Sequence, residues 1–365
     1  MTVDKFIPKP YSKTLESGSF SWQAPSNIAL VKYWGKKEHQ IPANPSISFT
    51  LDKCHTETTL KFTKKEKQHT EEDFSFEVYL DGELKPDFAP KIETFFKRIY
   101  KYLPFLKEYQ FTIKTHNSFP HSSGIASSAS GMSALALCLM SMERELNPEM
   151  EDEYFNEKSS FLARLGSGSA SRSIEGPLVA WGTHEEVNKS NNLFGVKYTG
   201  HVHDVFKNYQ DTILLVDVGE KKVSSTVGHG LMNGHPFAEN RFHQAHKNLS
   251  VLKTVFSEGN LEKFIEIVES EALTLHAMMM TSIPYFILMK PNTLAIIDKI
   301  WEYRKTTGVP VCFTLDAGAN VHVLYPENTK EKVLEFIKSE LVAYCKDGKY
   351  ICDQVGEGAK AFENL

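Results

Sequence analysis

Residues 119–131 read Phe-Pro-His-Ser-Ser-Gly-Ile-Ala-Ser-Ser-Ala-Ser-Gly, a run of small side chains between an apolar strand at 110–115 and a helical stretch at 127–145. Small side chains let an anion approach the backbone. Free N–H groups at a helix start, with the positive end of its dipole, favour a phosphate there. The serine hydroxyls add donors and can ligate magnesium. No Gly-Lys-Ser/Thr follows, so this is not the usual P-loop. Composition alone favours a Ser/Gly-rich surface loop ahead of a tightly packed helix over a phosphate site.

Outward from this corner, strands and helices mix. Ile47, Phe49 and Leu51 fall at period two, which predicts a strand over 45–62, and a second strand runs through Phe76–Leu80 to the turn signal Asp81-Gly82. The charged stretch Lys64–Asp73 reads as a solvated turn between them. Ile92, Phe95, Phe96 and Ile99 have helical spacing, predicting a helix over 91–103. Further helices are expected at 151–165, 236–256, 261–279, 292–306 and 329–344. Strands are expected at Leu178–Trp181, Thr212–Val218, Val311–Leu315, Val321–Tyr325 and 349–353, with Thr183–Asn192 as a linker. Elements in this order predict an α+β architecture with largely antiparallel sheets and two domains, 1–192 and 193–365.

With 365 residues, 41% of them hydrophobic and 24% charged, the chain has the balance of an ordinary globular protein with a real core. A net charge of −5 provides no general attraction to nucleic acid or acidic membrane, so a polyanionic ligand needs a local basic pocket. The longest greasy run, Met132–Met142, falls short of the ~20 residues of a membrane span. Met1–Lys13 has no apolar signal core, and the expectation is a cytoplasmic protein. Cys54, Cys138, Cys312, Cys345 and Cys352 have no metal spacing and read as reduced, mostly core residues.

Ala24-Pro-Ser-Asn-Ile-Ala-Leu-Val-Lys-Tyr-Trp-Gly-Lys36 closely resembles the N-terminal motif of diphosphomevalonate decarboxylases, and 119–131 is similar to their nucleotide-phosphate loop. Gly166-Ser-Gly-Ser-Ala-Ser-Arg-Ser173, Lys221-Lys-Val-Ser-Ser-Thr226 and Phe313-Thr-Leu-Asp-Ala-Gly-Ala-Asn320 resemble three more signatures, in order. The resemblance implies the GHMP kinase two-domain fold: an N-terminal α/β domain with a left-handed βαβ type unit and a C-terminal ferredoxin-like domain, with the site between them. It also implies ATP and Mg2+, a phosphorylated mevalonate as small-molecule substrate, and a homodimer.

A tertiary alcohol must be made a leaving group, its proton accepted, and its carboxylate held. Asp316 lies in a tight turn, where an Asp is ordinarily a turn-former; the resemblance makes it the catalytic residue, as a base or a positioning group. Lys32, a lone cation among Ile28, Leu30, Tyr33 and Trp34, is expected to keep Asp316 ionised and to offset phosphate charge. Arg172 offers a planar fork for a carboxylate or phosphate, unless it merely caps a helix. The resemblance places Tyr33, Lys36, Ser167, Gly168, Ser169 and Arg172 around the acid substrate. It places Ser123, Gly124, Ala126, Ser127, Ser128, Lys221, Ser224 and Ser225 around ATP, and Ser127 with Asp316 at the metal. His116, His121 and His229 are expected to be surface or core hydrogen-bonders without a catalytic part.

The likeness loosens at His121-Ser122-Ser123, at Ser118, at Pro45 and at Ile174-Glu175-Gly176-Pro177, where relatives often carry Thr-Ala-Ala, Asn, Ser and Leu-aromatic-Gly-Gly. A Glu175 facing a polyphosphate pocket would repel the substrate. The expected activity is ATP-dependent decarboxylation of mevalonate 5-diphosphate to isopentenyl diphosphate. The alternatives are a decarboxylase of 5-phosphomevalonate, a kinase of the same superfamily without loss of carbon dioxide, and a non-catalytic binding protein on this fold.

Overall fold

The structure, a computed structural model, describes residues 2–66, 74–120, 125–217, 219, 223 and 225–362. Its larger sheet grows from two long antiparallel strands, β1 (Ser17–Val31) and β2 (Ser46–Lys64). The first half of β1 is largely exposed or half-buried, but from Ala24 onward every residue is buried. That change of pattern has a physical cause: the second half is covered on both faces and so loses its alternation. This is why periodicity alone did not mark β1.

Next come β3 (Ser75–Leu80), β4 (Glu83–Leu84), helix α1 (Ala89–Ile99) and β5 (Tyr109–Asn117), which returns parallel to β3 in a βαβ unit. Helices α2 (Ser127–Leu146) and α3 (Asp152–Gly166) follow, then β6 (Leu178–Trp181) and β7 (Val196–Lys197). The last half of β2 pairs β5 and its first residues pair β6, so one strand serves two neighbours on the same side. Small residues let α2 settle closely on β1 and β2: Ser133 Oγ donates to the Ala170 carbonyl at 2.8 Å, and the Ser130 and Thr56 hydroxyls share a bond of 2.6 Å. The expected linker 183–192 is instead a packed loop, with Gly182 N–H bonded to the Asn191 carbonyl and His184 and Val187 buried.

The smaller sheet has the antiparallel order β11–β8–β10–β9, formed by β8 (Gln210–Leu214), β9 (Cys312–Thr314), β10 (Val321–Tyr325) and β11 (Tyr350–Gln354). Helices α4 (Ser225–Gly230), α5 (Ala238–Glu258), α6 (Leu261–Met280), α7 (Pro291–Thr307) and α8 (Lys330–Phe336) fill this half. The helix expected over 329–344 ends early as α8, passing into a wide turn at Ile337–Leu341 and a tight one at Val342–Tyr344. Helix α6 touches both β1 and β9, so it stands between the sheets. The chain then crosses back: Asp353 binds the β2 backbone, and β12 (Lys360–Ala361) pairs Trp22 and Gln23 of β1. The architecture is α+β. Cys54, Cys138, Cys312 and Cys345 are buried free thiols and Cys352 a half-buried one.

Candidate active site

The continuous burial of β1 delivers Lys32, the next residue, into the space between the two sheets. It is 2% exposed, and its Nζ donates to Asp316 Oδ1 at 3.1 Å. Asp316 belongs to the turn joining β9 to β10 and keeps 26% of its side chain open. Burial pushes the Lys32 ammonium down from its ordinary value, and the carboxylates of Asp316 and Glu271 oppose that shift.

The surroundings hold both partners by their backbones. Glu271, on α6, accepts the Lys32 backbone N–H at 2.8 Å, and Arg241, on α5, donates to both oxygens of Glu271 and to the Lys32 carbonyl. Asn44 donates to the same carbonyl at 2.9 Å. One helical turn past Glu271, His276 Nε2 donates to the Asp316 carbonyl at 3.1 Å. Burial holds the His276 imidazole down to about 4, so it is neutral near pH 7.

Arg172 ends the short helical turn Gly168–Arg172 and is 2% exposed. Its Nε donates to Ser48 Oγ at 2.6 Å, Nη1 to Ser46 Oγ at 2.5 Å, and Nη2 to Asn27 Oδ1 at 3.4 Å. It makes no salt bridge among the described residues, and burial lowers its pKa to about 10. A buried guanidinium held by neutral acceptors is costly unless an anion joins it.

These groups line one cavity of about 330 Å³. Its wall includes Lys32, Tyr33, Lys36, Ala126, Ser127, Ser128, Ser167, Gly168, Ser169, Arg172, Ser225 and Asp316. Every expected site residue within the described chain is thus brought together; Ser123, Gly124, Lys221 and Ser224, like His121 and the turn at 67–73, lie outside the described residues. Ala126 takes the left-handed conformation at φ 46° just before α2, an uncommon state for a side-chain-bearing residue that starts the helix at the cavity wall. Gly168 is required where it stands: a Cβ there would lie 2.8 Å from the Tyr33 hydroxyl. Glu175 is not in the wall; its Oε2 accepts the Lys197 backbone N–H at 3.2 Å. The feared repulsion is removed.

Sequence reading missed several members of the wall. His229 was expected only as a hydrogen-bonder of surface or core, but it lines the cavity. Asn27, Gln40 and Lys91 line it too, and Lys91 with Ser127 and Ser128 also borders an adjoining cavity of about 230 Å³ between α1, α2 and β5. Lys91, near the start of an amphipathic helix, has the look of any solvated lysine; nothing local in the sequence marks it.

The pattern described as the diphosphomevalonate decarboxylase-like N-terminal domain matches residues 24–192, and the mevalonate 5-diphosphate decarboxylase C-terminal domain matches 212–361. The diphosphomevalonate decarboxylase of Ganoderma lucidum is 28% identical over 86% of this chain and 80% of its own. The phosphomevalonate decarboxylase of Haloferax volcanii is 27% identical over 87% of this chain and 89% of its own. The solved structure of MDDEF in complex with MVAPP, AMPPCP and magnesium superposes with a TM-score of 0.80 at 27% identity, covering 95% of this chain and all of that one. Two successive domain patterns, relatives matched over most of their length and a shared fold agree: the chain belongs to the diphosphomevalonate decarboxylase family of the GHMP superfamily.

Proposed function

We propose that the protein carries out ATP-dependent decarboxylation of mevalonate 5-diphosphate, giving isopentenyl diphosphate, ADP, phosphate and carbon dioxide in the mevalonate pathway. The observation that carries this reading is the Lys32–Asp316 pair facing the same cavity as Arg172, a buried cation that makes no salt bridge among the described residues.

Asp316 orients the tertiary hydroxyl and takes its proton as the oxygen attacks the γ-phosphorus of ATP and ADP departs. Lys32 balances the charge gathering there. The carbon–oxygen bond then breaks, phosphate leaves with the electron pair, and positive charge grows on the tertiary carbon. The bond between the carboxyl carbon and its neighbour supplies the electrons of the new double bond, and carbon dioxide is released. Three N–H groups of Arg172 are engaged with Ser48, Ser46 and Asn27, leaving two of the guanidinium's five to hold that carboxylate. Ser127 and Ser128, at the start of α2, and Ser225, at the start of α4, suit the nucleotide phosphates. Ser127 and Asp316, which both border the cavity, would hold a magnesium ion beside the nucleotide phosphates, where it would offset their charge.

The 5-phosphate substrate is the second reading, favoured by the Haloferax volcanii relative named for it. One assay separates the readings. The protein is incubated with ATP and mevalonate bearing zero, one or two 5-phosphates, and carbon dioxide, ADP and stable phosphorylated acid are measured. Carbon dioxide with the diphosphate foremost is the expected result. A stable phosphorylated acid without carbon dioxide makes the protein a kinase.

The two halves, 1–192 and 193–365, act as an ATP-binding N-terminal domain and a C-terminal domain with the active site between them. A homodimer is supported by the exposed apolar residues Ile283, Tyr285 and Ile287, close to Met280 and Phe237; light scattering at assay concentration tests it. Among the described residues no helix is long and apolar enough to cross a membrane. Action in the cytoplasm is tested by cell fractionation.

A further inference from the structure

His229 sits on α4 and is 8% exposed, yet it lines the cavity. Its ring packs against Tyr33, at 4.3 Å between centroids, and Trp34, at 4.5 Å. Its Nδ1 accepts the Gly35 backbone N–H at 3.0 Å, so the imidazole carries its proton on Nε2. No acceptor among the described residues takes that proton. The Tyr33 hydroxyl, in the same cavity wall, is buried and has no hydrogen-bond partner among the described residues. A buried hydroxyl left open beside a ring N–H that meets no protein acceptor marks a wall lacking an acceptor-rich group.

The charge around them narrows what that group is. Burial, with the charges of Lys36 and Arg172, holds the imidazole down to about 3, so His229 is neutral across the working range and offers direction rather than charge. The planar fork of Arg172 matches a carboxylate. Tyr33, Lys36 and His229 border the same cavity, and their hydroxyl, ammonium and Nε2–H are donors suited to the several oxygens of a tetrahedral phosphoryl group.

We propose that His229 is a substrate-binding residue of this site, its Nε2–H donating to a phosphoryl oxygen at the 5-end of the acid substrate beside Tyr33 and Lys36. The inference rests on the reading of the cavity given above. Its rival is a purely structural part, in which His229 does no more than anchor Gly35 and the segment that carries Tyr33 and Lys36.

Two substitutions separate these roles. In His229→Asn the amide oxygen can stand where Nδ1 stands and accept the Gly35 N–H, but the side chain ends short of the cavity. In His229→Gln the longer side chain can carry an N–H to the position of Nε2. Calorimetric titration with mevalonate 5-phosphate and mevalonate 5-diphosphate, and KM values from carbon dioxide release, are measured for both variants and the wild type. The expected result is that H229N weakens binding of both acids and raises their KM about tenfold, the worth of one hydrogen bond to a charged group. KM for ATP should stay within about twofold, and H229Q should recover most of the loss. An H229N protein with wild-type acid affinity and KM overturns the proposal and leaves His229 an anchor. If H229N melts below assay temperature, H229Q decides alone: acid affinity kept supports the contact, and equal losses for acid and ATP overturn it. A wild type that binds the phosphorylated acids but releases no carbon dioxide removes the decarboxylase reading while the binding data still test His229. A wild type that binds neither acid overturns both.

Discussion

Lys32 and Asp316 stand 284 positions apart in sequence and 3.1 Å apart in space. Replacing Asp316 by Asn keeps the shape and much of the hydrogen bonding while removing the negative charge. The variant should fold and bind nucleotide, with kcat lower by about 10²–10⁴, the range of a lost general base; initial rates of carbon dioxide release check this, and near-normal turnover would remove Asp316 from the chemistry. Arg172→Ala should lower kcat/KM for the acid about 10- to 100-fold, the range of a charge-assisted hydrogen bond, and raise KM for the acid far more than for ATP. A larger effect on ATP would place Arg172 at the nucleotide instead. Lys32 stands out in the sequence as an isolated cation in a greasy run and Arg172 as a planar fork after a small-residue stretch, whereas the part given to Asp316 comes from the resemblance alone. His229 does not stand out, because a histidine in Val-Gly-His-Gly has no local sign of what it faces. Only the return of α4 against Tyr33 and Trp34 reveals it.

Helix α6 supports both halves of the Lys32–Asp316 pair, through Glu271 to the Lys32 amide and through His276 to the Asp316 carbonyl. Glu271 and Arg241 are wholly enclosed, so removing one partner strands the other's charge. Glu271→Ala should cost about 3–5 kcal/mol in urea or guanidinium unfolding, and a loss near zero would show that the pair is not structural. His276 brings a pH dependence of known sign. Its folded value of about 4 lies below the ordinary 6.5, so the unfolded chain binds the extra proton and stability falls as pH drops through that window. Between pH 7 and pH 5 this removes about 2 kcal/mol, and His276→Gln should lose that much less over the same interval. The elements themselves were mostly readable from period and breakers; β10 falls on its expected span, and α5, α6 and α7 come within a few residues of theirs. The exceptions are physical. The inner half of β1 has no alternation because both faces are covered, and the expected helix over 329–344 is helical only to Phe336, passing into wider and tighter turns beyond.

At the scale of the whole molecule, the crossing of residues 353–362 back onto the larger sheet ties the two halves together. Asp353, buried, accepts backbone N–H groups from Asp52, Lys53 and Cys54, at 3.1, 2.8 and 2.7 Å. Thr50 and Gly356 follow with a backbone bond of 2.9 Å, and Phe362 reaches the Ser21 carbonyl. Asp353→Ala leaves three donors of β2 without that acceptor and should cost about 3 kcal/mol or more, since each unsatisfied buried group is worth about 1–3. Differential scanning calorimetry checks both the loss and whether the wild type melts in one transition. This long-range tie could not be anticipated from the sequence, since neither the 353–362 segment nor β1 names its partner.

The same crossing governs the order in which the protein can be made. Trp22 and Gln23 emerge early from the ribosome, but their partners Ala361 and Lys360 follow more than 300 residues later. Throughout that interval a nascent chain holds this part of β1 as an open edge, able to pair with the same edge on a neighbouring polysome product. Translation pauses ahead of residue 350 lengthen the exposure, and it is there that a chaperone would shield the chain.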